Sequence, residues 1–142
     1  LKDGHVIPAL IRRFHEAKIQ NLPLVTIWGT GTPKREFLYV DDMTDAAIYI
    51  MNIDKKTYDE HTSSMCSHIN VGSSSEYSIK ELAEIIKDIV GFKGKINFNS
   101  NKPDGIPRKF IDSSLLNNFG WKPKTNLKNG LIITYKDFLK SL

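Results

Sequence analysis

Apolar residues at Ile7, Leu10, Ile11, Phe14 and Ala17 recur at the spacing of one buried helix face, and Pro8 stands where a first helical turn accepts proline. The pattern predicts a helix over residues 8–20. Asn21-Leu22-Pro23 breaks it, and the β-rich run Leu24-Val25-Thr26-Ile27-Trp28 predicts a short strand closed by the turn Gly29-Thr30-Gly31-Thr32-Pro33. Residues 35–40 read as a second strand, after which Asp41 and Asp42 are placed to cap a helix over 43–51. Residues 52–67 are polar and read as irregular. His68-Ile69-Asn70-Val71-Gly72 then carries a short buried-strand signal ended by a serine-rich turn.

The clearest helix covers residues 79–90. Ser78 and Glu81 have capping-box spacing, Ile79, Leu82, Ala83, Ile86 and Ile89 share a face, and Gly91 is the natural stop. A strand over 95–99, a Pro/Gly loop over 101–108, an extended stretch over 109–112, a short helix over 113–118 and a last helix from near Asn126 complete the pattern. Strands alternate with helices but are too few for a full doubly wound sheet, so the expected fold is one small mixed α/β domain over residues 1–142.

The 142 residues, 40% apolar and 25% charged, have ordinary globular composition. No apolar run approaches the roughly 18 residues of a membrane span and no charged-then-apolar leader opens the chain, which points to a soluble, cytoplasmic protein with no membrane partner. The chain begins at Leu1 without methionine, and residues 1–7 carry no turn or strand logic of their own, the signature of a fragment. Twenty basic residues against 16 acidic ones give +4, scattered along the chain. That balance suits an anionic small ligand and ranks nucleic acid last. A single cysteine, Cys66, excludes an internal disulfide and begins no zinc site, so no metal is expected.

Candidate chemistry is sparse. Gly29-Thr30-Gly31 supplies two of the three glycines of a dinucleotide fingerprint, and Pro33 forbids the helix that should follow, so the segment reads as a tight turn. No phosphate-loop or zinc-protease motif occurs, and no tyrosine has a lysine four residues later. Only four of the 20 basic residues are arginine: Arg12, Arg13, Arg35 and Arg108. A planar guanidinium in so lysine-rich a chain points to an oxyanion. Arg12 has Glu16 four residues on as an ordinary helix partner; Arg13 is open between a ligand and a helix pair, and Arg35 opens a strand beside a turn. Trp28, at a strand end, suits either stacking on a flat ring or the core. His5 precedes a helix N-terminus, where backbone N–H groups attract anions, and also reads as an ordinary loop histidine.

His5-Val6-Ile7-Pro8-Ala9-Leu10, Arg12-Arg13-Phe14-His15-Glu16-Ala17, Trp28-Gly29-Thr30-Gly31-Thr32-Pro33, Arg35 to Met43, Ser67 to Gly72 and Lys102-Pro103-Asp104-Gly105 together resemble the GDP-L-fucose synthases. These are extended short-chain dehydrogenase/reductases acting on nucleotide sugars. The resemblance implies a C-terminal, substrate-binding part of an NAD(P)-binding Rossmann enzyme, usually a homodimer. The glycine fingerprint, a serine, a Tyr-x-x-x-Lys pair and a catalytic cysteine would then lie before Leu1. Such enzymes epimerise C3 and C5 of GDP-4-keto-6-deoxy-D-mannose and reduce C4 with NADPH, so the isolated fragment would be inactive.

By the same resemblance His5 is the general acid near the nicotinamide end of the cofactor. Arg13, Trp28 and Arg35 contact the GDP-sugar, and Lys95 matches a substrate-contacting position held by arginine in relatives. Asp104 either holds a ribose or base edge or caps a loop; Cys66 does not match the catalytic cysteine. Another nucleotide-sugar epimerase or dehydratase, and a non-catalytic GDP-sugar binding module, are the competing expectations.

Overall fold

The computed structural model describes residues 5–142. Of the opening stretch without turn or strand logic, residues 1–4 lie outside the described residues, while Val6 and Ile7 already belong to the first helix. In chain order the elements are α1 (Val6–Ile19), β1 (Leu24–Trp28), β2 (Lys34–Glu36), α2 (Val40–Met51), α3 (Lys55–His61), β3 (Glu76–Ser78), α4 (Ile79–Val90), β4 (Lys95–Asn99), β5 (Arg108–Lys109), α5 (Ser114–Asn118) and α6 (Leu127–Lys140). Where the sequence predicts one compact domain, the chain forms two units. One comprises residues 1–35, 77–109 and 128–142, the other residues 36–76 and 110–127.

In the first unit the predicted helix face is the core. Leu10, Ile11, Phe14 and Ala17 of α1 are buried with Leu82, Ala83, Ile86 and Val90 of α4 and with Val25 and Ile27 of β1. Phe14 is fully buried, its ring centroid 5.6 Å from that of Phe92. Burial of a side chain of this size contributes roughly 1.5–3 kcal/mol. His15 shares a 3.0 Å hydrogen bond with the Tyr135 hydroxyl and so fastens α6 to α1. β1 and β4 pair in parallel from Leu24↔Lys95 to Trp28↔Asn99. A second small sheet has the order β3-β2-β5, with β2 and β5 parallel and Arg35 opposite Lys109. The capping box of α4 forms in full: the Ser78 hydroxyl accepts from the Glu81 N–H at 3.1 Å, and the Glu81 carboxylate accepts from the Ser78 N–H at 2.7 Å. Gly91 ends that helix in the left-handed conformation its missing Cβ permits.

The second unit is built around Ala46, Leu116 and Trp121, with Leu38, Ile50, Ile69 and Val71 packed against them. Two carboxylates, buried Asp42 and half-buried Glu36, organise its loops. Asp42 accepts from the Thr125 N–H at 2.9 Å and from the Lys124 N–H at 3.3 Å. Glu36 accepts from the N–H groups of Ser74 at 2.7 Å and Ile111 at 3.1 Å.

Four sequence expectations are corrected here. Asp41 and Asp42 do not cap α2, which begins three residues earlier than expected, at Val40, with Tyr39 at its N-cap and no side-chain cap; Asp42 turns inward to serve the 124–125 loop. The second strand is correspondingly cut to Lys34–Glu36. Residues 52–67 contain α3, a helix with no buried residue that periodicity cannot reveal. It rests on the Asp54 cap, which accepts from the Thr57 N–H at 2.9 Å, and on i,i+4 pairs such as Lys55–Asp59. Residues 68–72 form no strand and pair with none among the described residues.

Two measurements check this account. Asp42→Ala leaves two backbone N–H groups without acceptors and should cost about 2–3 kcal/mol in urea unfolding; an effect near zero would contradict the role of this carboxylate. Glu81 is held below the usual carboxylate range, first by the side-chain hydrogen bond from Ser78, then by the Ser78 N–H. A lowered folded-state pKa means the ionised form favours the fold. Its contribution is complete above the unfolded value and disappears as pH falls through the folded one. The urea midpoint of the chain should therefore fall between about pH 5 and pH 3, and Glu81→Gln should flatten part of that slope. An unchanged slope would contradict the linkage.

Candidate functional site

Parallel pairing brings the C-terminal ends of β1 and β4 to the same edge, which is where open α/β sheets place their ligands. The segments leaving that edge are 29–33 and 100–107. Gly29 donates to the Asn99 carbonyl at 3.0 Å, and Asp104 reaches back across the edge to accept from the Thr30 N–H at 2.9 Å and the Thr30 hydroxyl at 2.7 Å. Backbone dihedrals of φ +83° at Gly29 and +78° at Gly31 make the turn, and a Cβ at Gly29 would fall 2.1 Å from Asp104 Oδ1. Turn and loop are thus locked together by one carboxylate. The N–H groups of Ile79 and Lys80 at the start of α4 donate to the carbonyls of Pro33 and Gly31, fixing the turn from its other side.

Between this edge and α1 lies a cleft of about 430 Å³, within the first unit. Apolar walls come from Val6, Leu10 and Ile27, and the polar groups that line it include Arg13, Arg35 and Asp104. The two adjacent arginines of α1 are sorted by helix geometry: Arg12 Nε pairs with Glu16 at 3.2 Å, one position round the helix from the cleft, whereas Arg13 lines it. Arg13 contacts only the Thr26 carbonyl, at a long 3.4 Å, and Arg35 donates to the Lys34 carbonyl at 2.6 Å. Among the described residues neither guanidinium has a carboxylate partner. Asp104, the acid of the cleft, spends both oxygens on Thr30. The result is a fixed concave site with two guanidinium groups whose charge the protein leaves uncompensated, a geometry suited to a diphosphate.

Trp28 is 63% exposed at the end of β1 and lines the cleft, so the core reading of this residue is set aside. Lys102 Nζ sits 5.4 Å from its ring centroid, a cation–π contact. Lys109 went unnoticed in the sequence. Register places it opposite Arg35, and partners in register project to the same side of a sheet. Two cations side by side repel unless an anion lies between them. The only sequence clue was its place at the start of a short extended stretch.

His5 is the N-cap of α1; its carbonyl accepts from the Ala9 N–H at 3.1 Å, its imidazole is exposed, and its neighbour Val6 lines the cleft. Lys95 does not line the cleft: it opens β4, four residues from the edge that bears it, about 13 Å along a strand. Asp104 lines the cleft, but its contacts are those of the loop-capping alternative. Cys66 is exposed in the second unit and forms a β-bridge with Ser63.

The residues do not form a dinucleotide cradle. Gly31 is followed by β2, not by a helix, and the Thr30 N–H is already taken by Asp104. Among the described residues no helix is long and apolar enough to cross a membrane, and no three metal-ligating side chains cluster.

Residues 1–72, half of the chain, match the NAD dependent epimerase/dehydratase family. A protein described as probable GDP-L-fucose synthase 1 of Oryza sativa subsp. japonica is 53% identical over 141 residues, which is 99% of this chain and 40% of that protein. The GDP-L-fucose synthase of Escherichia coli (strain K12) is 50% identical over 139 residues, 98% of this chain and 43% of that one. A GDP-mannoheptose C4 reductase from Campylobacter jejuni, solved with NADP bound, superimposes with a TM-score of 0.81 at 40% identity over 97% of this chain and 46% of its own. The chain therefore spans well under half the length of these relatives, and its α/β fold, like its resemblance to GDP-L-fucose synthases, is shared with them. On this evidence the chain belongs to the NAD dependent epimerase/dehydratase family.

Proposed function

We propose that the chain is the C-terminal, sugar-nucleotide-binding part of a cytoplasmic, homodimeric GDP-L-fucose synthase. Such an enzyme epimerises GDP-4-keto-6-deoxy-D-mannose at C3 and C5 and then reduces C4 to give GDP-L-fucose. The observation that carries the reading is the pair of unpaired guanidinium groups, Arg13 and Arg35, held in a cleft with an exposed tryptophan at its rim. The diphosphate of the substrate lies against Arg13 and Arg35 with Lys109 beside them, and Trp28 borders the nucleotide. Asp104 acts as a positioning residue by keeping the 29–33 turn open to the ligand.

NADPH supplies the reducing equivalent in this activity. Since the described residues lack a cradle for its pyrophosphate, it is held by polypeptide outside this chain, with His5 at the edge of its site. The epimerisation is proton chemistry. A C4 ketone acidifies the C–H bonds at C3 and C5, and an acid on one face with a base on the other inverts each centre. His5 is the proton donor in this reading. It stands at the N-cap of α1, two turns before Arg13, and so on the same helix as the diphosphate ligand.

A second reading follows from the likeness to the GDP-mannoheptose C4 reductase: a GDP-sugar reductase that binds the same diphosphate without inverting C3 or C5. Higher identity to proteins described as GDP-L-fucose synthases, across nearly the whole chain, favours the first.

Both readings are tested in the full-length enzyme by turnover in deuterated solvent. The first expects deuterium at C3 and C5 of the product, near-complete loss of that exchange in His5→Gln, and retained cofactor binding. Arg35→Ala should raise KM for the GDP-sugar by roughly tenfold to a hundredfold, the loss of a charged hydrogen bond of about 1.5–3 kcal/mol. Reduction without exchange in the unaltered enzyme selects the second reading, and wild-type exchange in His5→Gln removes His5 from the mechanism.

A further inference from the structure

Asp104 is the only acid among the described residues that line the cleft, and it shares the lining with Arg13 and Arg35. A carboxylate in such company ordinarily pairs with a guanidinium, because charge-assisted hydrogen bonds are roughly twice as strong as neutral ones. Asp104 is also close to one of the two. Gly105, the next residue, lies so near Arg35 that a Cβ on it would fall 3.1 Å from Nη2. Yet no hydrogen bond or ion pair joins Asp104 to Arg35, and both carboxylate oxygens are engaged by Thr30.

The hydrogen bonds of Thr30 show what prevents the ion pair. Its N–H donates to Asp104 Oδ1 at 2.9 Å and its hydroxyl to Oδ2 at 2.7 Å. A hydroxyl has one proton and two lone pairs. With that proton directed at Oδ2, the 2.7 Å contact between the Thr30 and Thr32 hydroxyls has Thr32 as its donor. The second lone pair accepts from the Thr32 N–H at 3.2 Å. The Thr30 hydroxyl is thus saturated, and two donors behind it strengthen the bond it makes to the carboxylate. Residue 29 completes the arrangement: a Cβ there would fall 2.1 Å from Oδ1, so only glycine lets the carboxylate reach the turn.

We propose that Thr30 is a positioning residue for the anion site: by engaging both oxygens of Asp104 it keeps this carboxylate from neutralising Arg35. The cleft has two conflicting needs. Asp104 joins the 29–33 turn to the 100–107 loop, and a carboxylate left free beside Arg35 competes with an anionic ligand for the guanidinium. Thr30 satisfies both at once. The inference rests on the proposed function in taking Arg13 and Arg35 as the groups that receive the ligand's phosphates.

The test uses the 142-residue chain and two readouts. Thr30→Val keeps the N–H contact to Oδ1 and frees Oδ2, whereas Thr30→Ser keeps both contacts. Nuclear magnetic resonance of the Arg35 guanidinium needs no ligand. Pairing with a carboxylate protects its Nη–H protons, so their exchange with water should slow severalfold in Thr30→Val and stay at the parent rate in Thr30→Ser. Adding Asp104→Asn to Thr30→Val should return the parent rate. Calorimetric titration with inorganic pyrophosphate is the second readout. Thr30→Val should weaken binding by roughly fivefold to tenfold, about one ion pair's worth of competition, and adding Asp104→Asn should restore it. Where the valine variant does not fold, Thr30→Ala removes the same hydroxyl without a branched side chain and should give both changes.

Parent-like exchange at Arg35 in the variants that lack the hydroxyl overturns the proposal, whatever the titration gives. So does a loss of pyrophosphate binding that Asp104→Asn does not restore, since Thr30 would then only support the turn. Absence of pyrophosphate binding in the parent chain counts against the proposed function, and the exchange comparison at Arg35 then decides the inference by itself.

Discussion

Parallel pairing of β1 with β4 is the constraint on which the site depends. Five residues of each strand run in the same direction and end together at Trp28 and Asn99, so the two chain exits are forced to share one edge. A single carboxylate then fixes what emerges. Asp104 holds Thr30 by its N–H and its hydroxyl, and the close approach this requires is possible only because Gly29 has no Cβ. The cleft walls, the exposure of Trp28 and the separation of Lys95 from the site all follow from the direction of that pair.

The charge arrangement is the other half of the account. A lysine-rich chain with four arginines pairs Arg12 with Glu16 on the helix surface but leaves Arg13 and Arg35 facing a cleft with no carboxylate to meet them. Asp104 could have neutralised the cleft, yet both its oxygens are engaged by Thr30. Keeping like charges together costs energy in the free protein, and Lys109 opposite Arg35 adds to it. An anion with two phosphates would relieve that repulsion, as the proposed function requires.

Local signals were legible where one physical cause dominates. The apolar stripe of α1, the Ser78–Glu81 capping box with Gly91, and the strand at 95–99 are all found within a residue or two of their expected limits. Signals that depend on a partner were not. Asp42 looked like a cap because its role is set by Lys124 and Thr125, more than 80 residues away. The polar helix α3 has no buried face to betray it. Residues 68–72 carry a strand sequence but pair with no strand among the described residues. In the site, arginine scarcity and the strand-end position of Trp28 pointed to residues that line the cleft, whereas Lys109 emerges only from register and the place of Lys95 at the far end of β4 only from strand direction.

The central claim is that this cleft recognises the diphosphate of a guanine nucleotide through Arg13 and Arg35. Calorimetric titration of the 142-residue chain with GDP, with UDP as the control, tests it most directly. The account expects selective GDP binding that is lost in Arg35→Ala. No heat with GDP, or GDP binding that survives Arg35→Ala unchanged, would contradict it.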